Sequence, residues 1–286
     1  MDSDSFLQPI IDALTPIPGI QVIVLGGSRA RGTHSPSSDY DIGIYYDPAH
    51  PLDIAALSEA AARLDDTHRA ELVTPNGGWG PWINGGGWLK VQSIPVDLIY
   101  RDLDKVQAVI TNCLAGQVTV DYQAGHPFGF VSSIYLAETA VCLPLWDPNG
   151  VVARLKEQVI PYPDALQTAL ITKFAWEIDF SIQIAKKSVE RADVVYAAGC
   201  CFRAVMCALQ VLFALNKEYW LNEKGAVKIA SGFAVCPDRF AERAQEVFRL
   251  LEASPASIQQ AVTILQGLNA DIERLVHYRS AGFTWG

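Results

Sequence analysis

The sequence predicts an α+β protein, with an N-terminal mixed sheet flanked by helices and a C-terminal helical bundle. Up to about Asp147 the chain is rich in glycine, proline and short β-like runs that alternate with helical patterns. After Val151 apolar residues recur at helical spacing over long stretches. The turn-rich residues 144–150 separate the two parts and predict domains over 1–147 and 151–286.

The first half is expected to alternate strands and helices. Residues 20–25 form a β-branched run bounded by glycines, which is typical of a buried strand. An alanine-rich stretch over 54–64 predicts a helix, and Pro95 suits the start of a strand. The further expected elements are a helix over 6–14, strands over 41–46, 70–73 and 95–100, a Gly- and Trp-rich loop over 79–88, a helix over 103–114, and a short element over 135–142.

The second half is expected to fold as an antiparallel helical bundle. Residues 163–189 place an apolar side chain on the same helical face at nearly every turn, and residues 193–215 are apolar almost all round. Two further amphipathic helices are predicted over 239–251 and 257–277, with Asp238 and Pro255 at their starts.

Composition and charge exclude several classes of protein. Of 286 residues, half are hydrophobic, which excludes a disordered chain, and the net charge of −9 argues against a nucleic-acid partner held by bulk electrostatics. No apolar run is judged long enough to span a bilayer, so no membrane partner is expected. The acidic N-terminus lacks the pattern of a signal peptide, and six cysteines without a Cys-x-x-Cys pair favour reduced thiols. These features predict a cytoplasmic protein.

Three aspartates are the candidate metal ligands. Asp39 and Asp41 are two residues apart at a predicted strand, so their side chains point to the same face. Two carboxylates so close repel each other unless a cation lies between them, and Mg²⁺ prefers such oxygen ligands. Asp97 stands alone in an apolar strand, and it completes a three-carboxylate site if that strand lies beside the one that carries Asp41. Such a site holds one or two ions for phosphoryl or nucleotidyl transfer.

A glycine-rich turn supplies the complement to these acids. Gly26, Gly27 and Ser28 follow the first predicted strand, and their backbone N–H groups with the Ser28 hydroxyl are suited to phosphate oxygens. Arg29 and Arg31 follow directly and are candidates to neutralise phosphate charge.

These residues resemble a known family. The order Gly26-Gly27-Ser28, then Ser38-Asp39-Tyr40-Asp41, resembles the signature of the DNA polymerase β-type nucleotidyltransferase superfamily, and Asp97 matches its third acidic position. The helical half is similar to the bundle appended in the aminoglycoside and related small-molecule nucleotidyltransferases. The resemblance implies a nucleotidyltransferase-type mixed sheet, two domains, and ATP with Mg²⁺ in the cleft between them.

The resemblance also implies roles for single residues. Asp39 and Asp41 would hold the metals that bridge the triphosphate, and Asp97 would bind the second metal and take the proton of the acceptor hydroxyl. Gly27 and Ser28 would hold the β- and γ-phosphates. The segment 222–225 is similar to the place where aminoglycoside adenylyltransferases put a lysine on the triphosphate, which implies that Lys224 neutralises the departing pyrophosphate. A solvated loop lysine is the alternative for Lys224.

Other polar and aromatic residues have two interpretations each. Glu138 is either a base or a surface helix residue, Arg203 requires a carboxylate or phosphate partner, and His126 is expected to be a loop histidine bonded by its neighbours. A cleft role is favoured for Trp79 and Trp82, and a structural role for Trp88, where the loop meets the next strand.

Three functions remain open from the sequence. The first is metal-dependent transfer of a nucleoside monophosphate, AMP from ATP, to a hydroxyl of a small molecule, for which an aminoglycoside-like antibiotic is one candidate. The second is a toxin–antitoxin-type nucleotidyltransferase that modifies tRNA or protein. The third is a non-catalytic nucleotide-binding module. No oligomeric state is predicted.

Overall fold

A computed structural model describes residues 3–280 of the chain. Met1 and Asp2, which belong to the acidic segment examined above for a targeting signal, lie outside the described residues. The chain divides into two compact units. Of the described residues, the first unit comprises 3–112, 120–125 and 129–161, and the second comprises 113–119, 126–128 and 162–280. The division between domains at 147–151 stays a prediction.

The first unit is built from a mixed sheet and its covering helices. Its elements in chain order are α1 (Ser3–Leu14), β1 (Ile20–Leu25), α2 (Gly27–Arg31), β2 (Tyr40–Tyr46), α3 (Ile54–Leu64), β3 (Gly86–Val91), β4 (Ile94–Asp102), α4 (Leu103–Leu114, whose last two residues belong to the second unit), β5 (Val120–Asp121), β6 (Phe130–Val131), α5 (Ile134–Val141), β7 (Leu143–Trp146) and α6 (Val151–Val159).

Within the described residues, five strands form one sheet in the order β3-β4-β2-β1-β7. Strands β2 and β4 run parallel, and the other neighbouring pairs are antiparallel. The mixed sheet confirms the predicted fold class. Strands β5 and β6 pair separately.

The two faces of the sheet have different coverings. On one face, alternate residues such as Ile42 and Leu98 are buried with side chains of α1 and α3 in a single hydrophobic core. The other face is covered by α5 at the C-terminal ends of β2 and β4, where buried Arg101 pairs with Glu138. Asp41 and Asp97 lie on this second face, nearer the start of each strand, and both are half-buried.

Three predicted elements differ from the structure. Residues 70–73 form no strand and contribute only a bridge between Val73 and Gly87. The loop predicted over 79–88 ends earlier, because β3 begins at Gly86 and pairs with β4. Part of the predicted turn cluster over 144–150 is strand β7, which pairs with β1. All three differences depend on pairing with distant strands, which local composition does not reveal.

The second unit is helical, which confirms the predicted bundle. Helices α7 (Asp164–Lys186), α8 (Val194–Leu215) and α11 (Pro255–Ser280) pack against one another, and α10 (Phe240–Arg249) packs on α11. The short helix α9 (Ala226–Ala230) contacts α8 and α10. The apolar stripe of α7 is buried as the spacing predicts, with Leu166, Leu170, Phe174, Ile178 and Ile182.

Helix α8 corrects one expectation about membranes. By length and composition it is apolar enough to cross a bilayer, contrary to the prediction that no run approaches that length. However, 72% of its most apolar window is buried inside the protein. Such burial is typical of the central helix of a bundle, the role that its all-round apolar character predicts.

Candidate active site

Three aspartates converge on the open part of the sheet. Asp39 lies directly before β2, Asp41 lies on β2, and Asp97 lies opposite Asp41 on the parallel strand β4. One carboxylate oxygen from each lies within 4.8 Å of the other two, and all three residues are half-buried. The strand adjacency on which the site depends is therefore present in the structure.

The alternation of the strands explains this convergence. Tyr40 and Ile42 point into the hydrophobic core, so Asp39 and Asp41 must face the other way. Residues opposite each other on neighbouring strands share a face, which adds Asp97. The three side chains make up the acidic triad, and its hard oxygen donors, gathered close together, match the ligand set that Mg²⁺ prefers.

The glycine turn after β1 packs directly on the triad. The Gly26 N–H donates to the Asp41 carbonyl oxygen at 2.7 Å. Gly27 has a left-handed backbone with φ +60, and a Cβ at this position would lie 1.7 Å from Asp41 Oδ2. Only glycine fits there, for conformational and steric reasons together. Ser28 follows in the first turn of α2, where backbone N–H groups have no acceptor within the helix.

The two arginines after the turn have different environments. Arg29 donates through Nε to the Asp39 carbonyl oxygen at 2.9 Å and through Nη2 to the Ser38 carbonyl oxygen at 2.6 Å. Its guanidinium also lies 3.7 Å from the centre of the Tyr40 ring. Arg29 therefore holds the backbone that carries Asp39, and its contact with a phosphate stays a prediction. Arg31 lies at the end of α2, half-buried, and its assignment to the nucleotide stays a prediction.

The tryptophans of the 79–88 segment fall into two groups. Trp82 is buried, stacks on Phe130 at 5.0 Å and meets Tyr135 edge-on, so its predicted cleft role is wrong. Trp88 is 62% exposed on β3 and stacks on Trp79 with ring centres 4.6 Å apart. The structural role predicted for Trp88 stays a prediction: its stacking on Trp79 fits that role, and its exposure leaves the side chain accessible as well.

The remaining candidates in the first unit are structural. Both oxygens of Glu138 accept from buried Arg101, with Nε–Oε2 at 2.7 Å and Nη2–Oε1 at 2.6 Å. Burial by itself lowers the pKa of Arg101, but the charge and hydrogen bonds of Glu138 outweigh it and raise that pKa. This pair anchors α5 to the sheet, so Glu138 is not a free base. A charged residue at the end of an otherwise apolar strand is the signal for Arg101 that the sequence interpretation missed.

In the second unit, His126 and Glu223 connect two loops. His126 Nδ1 lies 3.3 Å from Glu223 Oε2, and Glu223 Oε1 accepts from the Phe128 N–H at 3.0 Å. Burial alone raises the pKa of Glu223, but these two partners outweigh it and lower that pKa. His126 is therefore a bonded loop histidine, as predicted.

Arg203 and Lys224 also lie in the second unit. Arg203 pairs with the Glu177 carboxylate, which supplies the expected partner, although the Arg203 side chain is 44% exposed rather than buried. Lys224 is exposed in the loop before α9, and its backbone N–H donates to Asn222 Oδ1 at 2.9 Å. The contact of the Lys224 side chain with the triphosphate stays a prediction.

Comparison with known proteins gives two family matches within the chain. Residues 9–107, about a third of the chain, match the nucleotidyltransferase domain family. Residues 132–224 match a domain family of unknown function, DUF4037. The crystal structure of a nucleotidyltransferase-like protein from Exiguobacterium sibiricum 255-15 is similar over 99% of this chain and 81% of that one, with 11% identity and a TM-score of 0.45. No curated protein matches the chain in sequence.

The domain match covers β1, the glycine turn and all three aspartates of the triad. Residues 9–107 are therefore a nucleotidyltransferase domain. The motif around Asp39 and Asp41 in this domain is that of the DNA polymerase β-type nucleotidyltransferase superfamily.

Proposed function

We propose that this enzyme transfers AMP from ATP to a hydroxyl group of a small molecule and releases pyrophosphate, with Mg²⁺ bound at the acidic triad. The observation that supports the proposal is the approach of three carboxylates to within 4.8 Å, directly beside the Gly27 turn. Like charges at this spacing repel each other, and a bound cation offsets this repulsion.

The residues of the triad fit a divalent ion by number, type and position. Asp39 and Asp41 would hold one ion, and Asp97 would hold a second one. When bound, Mg²⁺ neutralises phosphate charge and helps to orient the triphosphate for in-line displacement.

Asp97 is proposed to act on the acceptor as well. In the reaction the acceptor oxygen forms a bond to the α-phosphorus, and the bond from this phosphorus to the pyrophosphate oxygen breaks. The proton of the acceptor hydroxyl passes to the Asp97 carboxylate and then to solvent. Asp97 is suited to this role because it lies on the far side of Asp41 from the glycine turn.

The glycine turn is proposed to bind the β- and γ-phosphates. The N–H groups at Gly27 and Ser28 and the Ser28 hydroxyl supply donors, and the missing side chain of Gly27 leaves the backbone accessible. Arg31 is proposed to add positive charge at this end of the triphosphate. Lys224 is assigned to the pyrophosphate on the strength of the family resemblance.

The acceptor is proposed to be an aminoglycoside-like molecule rather than a nucleic acid. The chain carries 31 acidic and 22 basic residues, a balance that favours a cationic acceptor over a nucleic acid.

The decisive experiment supplies α-³²P-ATP and Mg²⁺ with separate acceptors: a panel of aminoglycosides, total tRNA, and the protein alone. We expect label on a small molecule together with stoichiometric pyrophosphate. Label on tRNA or protein would contradict the proposed acceptor class but would support the proposed nucleotidyl transfer. Absence of both label and pyrophosphate with every acceptor would overturn the proposal in favour of a nucleotide-binding module.

A further inference from the structure

Trp79 and Trp88 form a stacked pair on the surface of the first unit, here called the aromatic pair. Their ring centres lie 4.6 Å apart with an angle of 25° between the planes. Trp88 is 62% exposed on β3. Neither the hydrophobic core nor the proposed roles of the triad account for this exposure.

The segment around the pair is built to hold it. A Cβ on Gly86 would lie 2.6 Å from the Trp79 ring and 1.9 Å from the Leu98 carbonyl oxygen, so glycine leaves the space that Trp79 occupies. Buried Gln123 donates to the Trp79 carbonyl oxygen at 2.8 Å and accepts from the Trp82 N–H at 3.3 Å. Gln123 therefore holds the backbone that carries Trp79, and the Trp79 indole packs over Gly86 and against Trp88, an order that reduces the entropy cost of binding.

The register of the sheet places Trp88 beside the triad. Trp88 on β3 lies opposite Asp97 on β4, and Asp97 lies opposite Asp41 on β2, so the three share one face. Tyr100 N–H donates to the Gly85 carbonyl oxygen at 2.8 Å. Because hydrogen-bonded positions alternate in an antiparallel pair, Trp88 and Asp97 occupy a position without ladder hydrogen bonds, where side chains are closest.

The aromatic pair and the glycine turn flank the triad from opposite sides. The strand order β3-β4-β2-β1 puts Trp88 next to Asp97 at one end of the row. The turn that follows β1 packs on Asp41 at the other end. If the turn holds the triphosphate, the aromatic pair faces the place left for the acceptor.

We propose that the aromatic pair binds the acceptor by stacking, and that the acceptor is a saturated, hydroxyl-bearing ring of the sugar or cyclitol class. The Trp88 face takes the C–H face of the ring, while a hydroxyl of the same ring lies at Asp97. The inference rests on the proposed function. Cβ atoms of such cross-strand neighbours are about 4.5–5.5 Å apart, which suits a ring face and its own hydroxyl. An amine on the ring adds attraction to the indole face and to the nearby carboxylates.

The test compares W88A with W176A by saturation-transfer NMR. Trp176 is a matched control, because it is also 62% exposed but lies on α7 in the second unit. The probes are kanamycin A, methyl α-D-glucopyranoside and the acyclic polyol sorbitol, each with the full-length protein. Mg²⁺–ATP binding is measured in parallel by calorimetry on the same variants.

We expect both cyclic probes to bind the wild type and W176A, to receive saturation on one ring face, and to bind W88A at least ~10-fold more weakly. Sorbitol should bind far more weakly than the cyclic probes. Cyclic probes that bind W88A as well as wild type, or bind none of the proteins, would overturn the proposal. Weaker Mg²⁺–ATP binding by W88A with unchanged ring binding would assign the pair to the nucleobase instead. Failure of wild-type protein to bind Mg²⁺–ATP would count against the proposed function and not against the aromatic pair.

Discussion

The first unit places Asp65 and the acidic triad in opposite environments. Asp65, at the end of α3, is fully buried and accepts from Arg69, from the Thr67 hydroxyl and from the Lys90 N–H. In the acidic triad, by contrast, half-buried carboxylates are brought close to one another. The comparison separates a carboxylate that the donors around it stabilise from carboxylates whose mutual repulsion favours a positive ligand.

Removing a carboxylate of the triad should have the largest effect. We expect D39N and D41N to lower nucleotidyl transfer by about 10³-fold or more, the scale of losing a central electrostatic contact. Thermal unfolding should be unchanged or shifted upward in the metal-free variants, because repulsion is relieved. D104N, at an exposed aspartate of α4, is the control and should behave as wild type in both assays. Full transfer activity in D39N and D41N would remove them from the site.

A methyl group at Gly27 tests whether the position of the triad matters as well as its charge. Gly27 and Gly32 both have left-handed backbones, but only Gly27 faces Asp41, while a Cβ on Gly32 would have no atom within 4 Å. We expect G27A and G32A each to lose about 1–2 kcal/mol of stability, because alanine is strained in a left-handed backbone. Only G27A should lower kcat, by about 10²-fold, since it must displace the Asp41 carboxylate. Equal kcat in the two variants would show that the turn does not position Asp41.

Asp65 should show the reverse pattern, with a loss of stability and little effect on chemistry. D65N removes the charge paired with Arg69 and places an amide group opposite N–H donors, which should cost about 3 kcal/mol in denaturant unfolding. Under conditions where the variant is folded, its kcat should stay within a few-fold of wild type.

The pH dependence gives a second test of Asp65. Several effects hold the pKa of Asp65 well below its usual range, and the largest is the hydrogen bonding from the Arg69 side chain. Because the pKa of Asp65 is lower in the folded than in the unfolded state, its carboxylate stabilises the fold. This contribution to the free energy of unfolding is fully present at a pH above the unfolded-state pKa of about 4, and it is lost as the pH falls below that value. The stability difference between wild type and D65N should therefore shrink on acidification. A difference that is constant from pH 7 to pH 3 would contradict this account.

The smallest expected effect is at Lys224, whose assignment comes from resemblance alone. K224A should raise the KM for ATP about fivefold, which is the loss of one solvent-exposed charge contact to phosphate. K228A, at an exposed lysine four residues further along, is the matched control. Unchanged kcat and KM for ATP in K224A would exclude Lys224 from nucleotide binding.

Local patterns in the sequence predict much of this fold. The strand Ile20–Leu25 and the helices Ile54–Leu64 and Leu103–Leu114 have the predicted bounds, because their composition and periodicity suffice to define them. Strand β3 was missed for two reasons. It begins with two glycines, and its hairpin to β4 turns at Gln92 and Ser93, which adopt positive φ without the usual Asn-Gly signal.

The candidate site also has residues that local sequence patterns predict and residues that they do not. Asp39, Asp41 and the glycine turn are found by spacing along the chain, and the third aspartate required only the correct neighbouring strand. The partners of Trp82 and the exposure of Trp88 depend on β3 and on the residues that pack around the 79–83 loop. These are long-range contacts, so composition alone could not place the two tryptophans.

The most direct test of the account is a crystal structure of the enzyme with Mn²⁺ and a non-hydrolysable ATP analogue. We predict an anomalous manganese peak about 2.1–2.3 Å from carboxylate oxygens of Asp39, Asp41 and Asp97, with the triphosphate on the Gly27 turn. Manganese or nucleotide bound away from these three carboxylates, with the triad in its present arrangement, would contradict the central claim.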